Sequence, residues 1–277
     1  MKQRIENIGA KKEPKPNGRF KLSLEDITDS YKNWKVWLLL GWHDVRLRYR
    51  RSTLGPFWIT ATMVVLICSL GTVYSFLFKA AIADYFPYLA CGILLWNFLM
   101  TTTMEFVDTF VEGAHFIKQI KLPYTLYVLR TLSRNLIVFF HNFLAVLPIL
   151  IFYQIPVRPV SILIGLTLLS MIGFSFGTAL AMLGSRYRDI KQLMQSVLQL
   201  IFYLTPIMWL PSMLPERFQI LIRLNPIQQM IELVRIPLLG NSPSPYIFIY
   251  CLGVLISGIA LMLFLLTKSR HRIAFWV

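Results

Sequence analysis

Acidic residues are scarce in this chain: 13 Asp and Glu stand against 28 Lys and Arg among 277 residues. Asp84, Glu105 and Asp108 fall at or beyond the ends of apolar runs, and no adjacent Asp pair occurs. A membrane-embedded glycan-modifying enzyme, which needs an acid–base pair or acidic metal ligands, therefore has little to work with. An ion-coupled carrier of a smaller solute is short of groups as well, because it normally holds an ionisable residue within the membrane. It would have to use His141 or Glu105. The three cysteines, Cys68, Cys91 and Cys251, lie in apolar segments without metal-ligand spacing and read as packing residues. His-Glu-x-x-His is absent. None of the 14 glycines precedes a lysine, so no P-loop is present. Neither catalysis nor a metal or cofactor is expected on the chain itself.

Apolar residues are abundant, at 56% of the chain. Several uncharged runs of about 18 residues or more indicate an all-α polytopic membrane protein. The period-two alternation of a transmembrane β-barrel is not visible. Six spans are expected, at about 58–78, 87–104, 136–153, 160–183, 192–210 and 246–267. Placing both termini in the cytosol leaves only Lys79, Arg158, Arg217, Arg223 and Arg235 of the 28 basic residues on the other side. That distribution explains the net charge of +15 without nucleic acid.

Three regions are expected along the chain: a cytosolic tail over 1–29, an interfacial amphipathic helix and its basic continuation over 30–57, and the six-span domain over 58–277. No cleavable leader is expected, since no apolar run follows the first basic residues. Ser23, with Asp26 three residues on, reads as a helix start. Trp34, Trp37, Leu38, Gly41 and Val45 recur at helical spacing beside basic residues, which suits a helix among lipid headgroups or one packed on protein. A long inner loop is expected over 105–135. Within it, His115, Phe116, Lys118, Lys121 and Pro123 suggest a short helix across the cytoplasmic face. The outer loop, 211–245, holds two short apolar helices, 216–224 and 226–239, which read as a re-entrant hairpin before the sixth span.

The fifth span carries a polar stripe. Gln192, Gln195, Ser196, Gln199, Tyr203 and Pro206 fall on one side at 3.6 residues per turn, opposite Leu193, Val197, Leu198, Ile201 and Leu204. Amides facing lipid would lack partners, so the stripe is either a seam between packed helices or the wall of a polar pathway. Tyr74, Phe76 and Phe78 cluster near the outer end of the first span, as a lining or as an interfacial aromatic belt. A pathway without an energy source of its own implies a partner that supplies one, or passive conduction.

Four motifs stand in register with these elements. They are Arg48-Tyr49-Arg50-Arg51-Ser52-x-Leu54-Gly55-Pro56-x-Trp58, Arg186-Tyr187-Arg188-Asp189-Ile190, Tyr203-Leu204-Thr205-Pro206-Ile207 and Leu224-Asn225-Pro226 followed by Glu232 and Arg235. Lys118-x-x-Lys121-Leu122-Pro123 accompanies them. Over about residues 30–270 the chain resembles the permeases of polysaccharide-exporting ABC transporters of the type-2 exporter fold, with its likeness in the O-antigen branch and capsule and teichoic-acid exporters nearby. The resemblance implies an inner-membrane homodimer, surrounded by membrane lipids, with two separate P-loop ATPase subunits that bind ATP and Mg. It implies a lipid-linked polysaccharide substrate and a channel lined by the first and fifth spans. Arg48, Arg50 and Arg51 would then flank its cytoplasmic mouth. His115, Phe116, Lys118, Lys121 and Pro123 would couple to the ATPase, and Asn225, Pro226, Glu232 and Arg235 would form an outer gate. Residues 1–29 extend beyond the resemblance.

Overall fold

The computed structural model describes residues 16–48, 50, 55, 57–79 and 81–277, the side chains of 16 and 17 excepted. The described residues form helices and connecting turns. The first two helices, α1 (Pro16–Lys32) and α2 (Trp34–Arg48), lie against one end of a bundle, called here the basic end. The bundle consists of α3 (Phe57–Leu77), α4 (Ile82–Glu112), α6 (Tyr124–Phe152), α7 (Pro159–Arg186), α8 (Ile190–Leu204), α10 (Pro226–Leu238) and α11 (Pro245–Ser269). Short helices complete the order: α5 (Ala114–Gln119), α9 (Gln219–Leu224) and α12 (Ile273–Trp276). Pro159, Pro226 and Pro245 each open a helix, where a missing N–H costs nothing.

Helix α4 is the centre. It is buried along most of its length, from Tyr85 to Phe110, and packs against α3, α6, α7, α8 and α10. Helix α3 is peripheral: only Met63, Ile67, Gly71 and Ser75, one turn apart each, are buried, and the rest of its surface is largely open. Among the described residues, five helical stretches are long and apolar enough to cross a membrane, and they contain α3, α4, α6, α7 and α11.

The helices depart from the expected spans in three places. First, the inner loop foreseen over 105–135 is mostly helix. Helix α4 runs on to Glu112 and α6 begins at Tyr124, leaving only α5 and its flanks between them. At 31 residues α4 is about 46 Å long, more than the roughly 30 Å hydrocarbon layer, so its charged end projects beyond it. Second, the fifth run stops being helical at Leu204, and residues 205–210 form an irregular segment. The helical part, 15 residues, is only about 22 Å long.

Third, the tail expected through residue 29 is helical from Pro16, and residues 1–15 lie outside the described ones. Ser23 and Asp26 do not start a helix but sit inside α1, both buried. The Asp26 carboxylate accepts hydrogen bonds from the backbone N–H of Tyr124 (3.1 Å) and Thr125 (2.9 Å) and from Arg270 Nε (2.8 Å). It thus caps the N-terminus of α6 from another helix, where an anion is favoured. Pro123, the residue before α6, offers no side-chain cap of its own.

Helix α2 packs on α6 through Trp37, Gly41 and Val45. Gly41 allows that approach, since a Cβ there would sit 2.1 Å from Ser133 Oγ. The opposite side shows Trp34, Leu38, Leu39 and Trp42 to the surroundings. One face of α2 therefore packs on protein, and the other carries the Trp-rich, basic pattern suited to a headgroup layer.

Candidate functional site

The polar stripe of α8 lies on the surface of the chain. Gln192, Gln195, Ser196, Gln199 and Tyr203 are exposed, Tyr203 at 65%. Leu198 is buried on the other side, with Met194, Ile201 and Phe202 packed against the core. A seam inside this chain is therefore not the role of the stripe. Leu193 and Leu204 are exposed as well, so the apolar side is narrower than periodicity suggested. Lys191 Nζ reaches Asp108 Oδ2 of α4 at 2.6 Å and fixes the start of the helix.

Pro206 leaves the stripe, because it is buried in the segment that follows the helix. Residues 205–210 have no helical ladder, and the carbonyls of Pro206, Met208 and Trp209 are met by side chains. Pro206 O accepts from Tyr88 Oη (2.8 Å) and from Arg235 Nη1 (2.9 Å), and Met208 O accepts from Tyr85 Oη. Gly92 lets the segment lie against α4, since a Cβ there would come within 3.1 Å of Ile207 O. Unpaired carbonyls in an apolar medium cost several kcal/mol, so these donors are what permit irregular backbone here. Asn225 joins the same assembly. Its Nδ2 donates to Thr205 Oγ1 (2.9 Å), while its Oδ1 accepts from Ile227 N and Gln228 N and caps α10 above Pro226.

Arg235 is completely buried. It pairs with Glu232, one turn away on α10, and its guanidinium carbon lies 4.0 Å from the centre of the Tyr88 ring. Gln228 Nε2 donates to Glu232 Oε1 at 2.7 Å. The carboxylate, a carbonyl and a π face together compensate a cation that would otherwise be far too costly to bury. The Thr-Pro and Asn-Pro motifs, apart in sequence, thus meet at one place with Glu232 and Arg235.

At the basic end, a charge network ties α2, α4 and α6. Arg130 makes paired bonds to Asp44 (2.7 and 2.6 Å), and Arg134 makes paired bonds to Glu105 (3.0 and 2.8 Å). Arg48 Nη2 and Asn135 Nδ2 also donate to Glu105, at 2.9 and 2.6 Å. Glu105 is therefore held by three donor side chains and is no isolated carboxylate. Arg48 borders a groove of about 400 Å³ that is lined also by Trp58, Thr62, Asn97 and Asn142. Asn142 Oδ1 is buried without a hydrogen-bond partner. Arg50 is exposed; Arg51 lies outside the described residues. On α5 and just after it, His115, Phe116, Lys118 and Lys121 are exposed, while Ile117 and Leu122 pack on the core and Pro123 is half-buried. The Arg130 guanidinium lies 5.6 Å from the Phe116 ring centre.

Tyr74, Phe76 and Phe78 do not share a face. Tyr74 and Phe78 stack at 5.4 Å, and Phe78 meets Tyr85 edge-on, whereas Phe76 is 72% exposed. His141 Nδ1 lies 2.9 Å from Ile137 O of its own helix. Gly173-Phe174-Ser175-Phe176-Gly177 matches the letters of a serine-hydrolase elbow, yet it lies within α7, with Ser175 buried and donating to Ile172 O at 2.9 Å. That motif needs a sharp strand-to-helix turn that exposes its serine.

Sequence reasoning missed Tyr85 and Tyr88, which clamp the irregular segment, and Asp26, Asp44, Arg130 and Arg134, which hold the basic end together. A signal existed for the tyrosines: two hydroxyls one turn apart at the end of an apolar helix. Comparison with known proteins gives the family. A family model described as "ABC-2 type transporter" matches residues 35–239. Two relatives from Klebsiella pneumoniae, each named O-antigen export system permease protein RfbA, are 24% and 25% identical over 241 residues. Each alignment covers 83% of this chain and 90% of the relative.

Proposed function

The chain belongs to the ABC-2 type transporter family, and from that premise we propose that it is the channel-forming subunit of an exporter of lipid-linked polysaccharide, with O-antigen as the leading substrate class. In this reading two copies form the pathway in the inner membrane, with both termini cytosolic. ATP hydrolysis occurs on two separate P-loop ATPases.

The observation that carries the reading is the exposed stripe Gln192, Gln195, Ser196, Gln199 and Tyr203 on a chain built to sit in a membrane. Against lipid, each amide would lose its water hydrogen bonds without replacement. A second copy would enclose the stripe and keep it hydrated. Glycans suit such a wall: amides exchange hydrogen bonds with hydroxyls, and an exposed ring such as Tyr203 stacks on the C–H face of a sugar. Weak, repeated contacts let a polymer slide. In the same reading α8 and residues 205–210 together make the fifth of six crossings. Helices α9 and α10 form the re-entrant outer gate, with Asn225, Pro226, Glu232 and Arg235 fixing its turn and root. The exposed side chains of α5 and Lys121 would meet the ATPase. The groove beside Arg48 would receive the charged end of the lipid carrier. The alternative, an ion-coupled carrier of a smaller solute, is disfavoured because Glu105 is engaged by Arg48, Arg134 and Asn135 and His141 is bonded within its own helix.

Two experiments test the proposal. Mild extraction and affinity purification should bring down a stoichiometric P-loop ATPase; a homo-oligomer without one would argue for the carrier. Gln199→Leu and Tyr203→Ala should each impair surface glycan export while leaving assembly intact. Normal export by both variants would make the stripe a packing seam between copies.

A further inference from the structure

The groove beside Arg48 has a volume of about 400 Å³ and lies between α3, α4 and α6. Ligand pockets of such size are mostly apolar and hold a few polar groups that fix orientation. Ile59, Met63, Leu66 and Val138 supply the apolar part. The polar groups are not alike. The Thr62 hydroxyl is already engaged by the carbonyls of Trp58 and Ile59, each at 2.9 Å. Asn142 Oδ1 is enclosed by its neighbours. Asn97 differs from both. It is half-buried, its amide makes no hydrogen bond among the described residues, and its polar atoms are not enclosed.

That amide stands in the middle of α4, eight residues from Glu105 and so about 12 Å inward of the charge network. Open to lipid at such a depth, it would lack partners. Polar side chains within a membrane mark substrate paths by default. Water alone would satisfy the amide but leaves the rest of the wall unused. Trp58 lines the groove half exposed and makes no ring contact among the described residues. Arg48 adds a cation whose side chain is 41% exposed. A cation, an open aromatic face and a free amide match three parts of one ligand: a phosphate, the C–H face of a sugar ring and a pair of neighbouring hydroxyls. The amide holds a donor and an acceptor side by side, as such a pair does.

We propose that this groove selects the first sugar of the lipid-linked substrate, with its phosphate on Arg48, its ring against Trp58 and two of its hydroxyls on Asn97. The inference rests on the polysaccharide reading and adds to it a residue that chooses among sugars. Depth separates the substrate from an ordinary membrane lipid. A phospholipid at rest keeps its headgroup at the surface, whereas a headgroup drawn inward to Asn97 is one that is set to cross.

The test titrates the full chain in lipid nanodiscs with four probes: farnesyl diphosphate bearing one glucose, the same bearing one N-acetylglucosamine, farnesyl diphosphate alone, and short-chain phosphatidylglycerol. At least one sugar-bearing probe should bind about tenfold tighter than farnesyl diphosphate alone, as added hydrogen bonds to one amide allow. Asn97→Leu should erase that preference and leave the sugar-free probe unchanged. Equal affinity for sugar-bearing and sugar-free probes, equally tight phosphatidylglycerol, or an undiminished preference in Asn97→Leu would overturn the site. Should the leucine variant fail to fold, the half-exposed Trp58 supplies a second one. Trp58→Leu should also lower the preference, and an unchanged preference there removes the proposal. Co-purification of a P-loop ATPase, scored on the same preparation, keeps the two claims apart. Probes bound alike by a chain that carries its ATPase remove the groove and leave the exporter; a chain that brings down no ATPase and binds no probe removes both.

Discussion

At Arg235 a single side chain serves three partners: Glu232, the carbonyl of Pro206 and the ring of Tyr88. Removing one member of a buried charged set leaves the others uncompensated, so Arg235→Ala is expected to cost about 3–5 kcal/mol. Thermal unfolding of the purified chain should report it as a large loss of stability. Tyr88→Phe removes only a neutral donor and should cost about 1 kcal/mol. Equal losses for the two variants would contradict the hierarchy drawn here. Asp26 is a second such residue, and Asp26→Ala should destabilise by about 1–3 kcal/mol, since it strands two N–H groups at the start of α6 and the side chain of Arg270. The sequence set Glu232 and Arg235 together, but the Asp26 arrangement was not legible in it. Asp26 and Thr125 are 99 positions apart, and nothing in a local pattern marks a carboxylate as another helix's cap.

Among the elements, α5 invites the most direct test. Lys118 and Lys121 are exposed beside its packed residue Ile117 and the packed Leu122. Their reversal, Lys118→Glu with Lys121→Glu, should leave the fold intact. If α5 docks an ATPase, the double variant should lose ATP-driven export and bind the partner more weakly in co-purification; wild-type behaviour in both assays would free α5 of that role. The long membrane-crossing helices were readable from apolar runs, but their ends were not, and α1, too polar to give such a run, was expected as tail. Charges at Glu105, Arg130 and Arg134 looked like loop because charge is expensive inside a membrane. In the fold Glu105 pairs with Arg134 and Arg130 with Asp44 of α2, so α4 and α6 continue as helices through them. The end of α8 was hidden for the converse reason. An uncharged run such as 205–210 reads as more helix, while its real conformation depends on hydroxyls and a guanidinium supplied by α4 and α10.

At the scale of the whole molecule, α3 and α8 are two helices that carry little of the core and leave most of their surface open. In the proposed homodimer the partner copy would lie against them. With Cys68, Cys91 and Cys251 replaced, Gln195→Cys should be linked into a dimer in native membranes by a short bismaleimide, and a purely monomeric product would place the contact elsewhere. One feature at the basic end also bears on how the chain is made. Asp26 leaves the ribosome 98 residues before the first N–H group it caps and 244 residues before Arg270. Throughout insertion, α1 must wait beside the membrane as an uncommitted clasp. Arg270 closes it, and a chain cut short just before Arg270 keeps α11 but leaves that clasp undone.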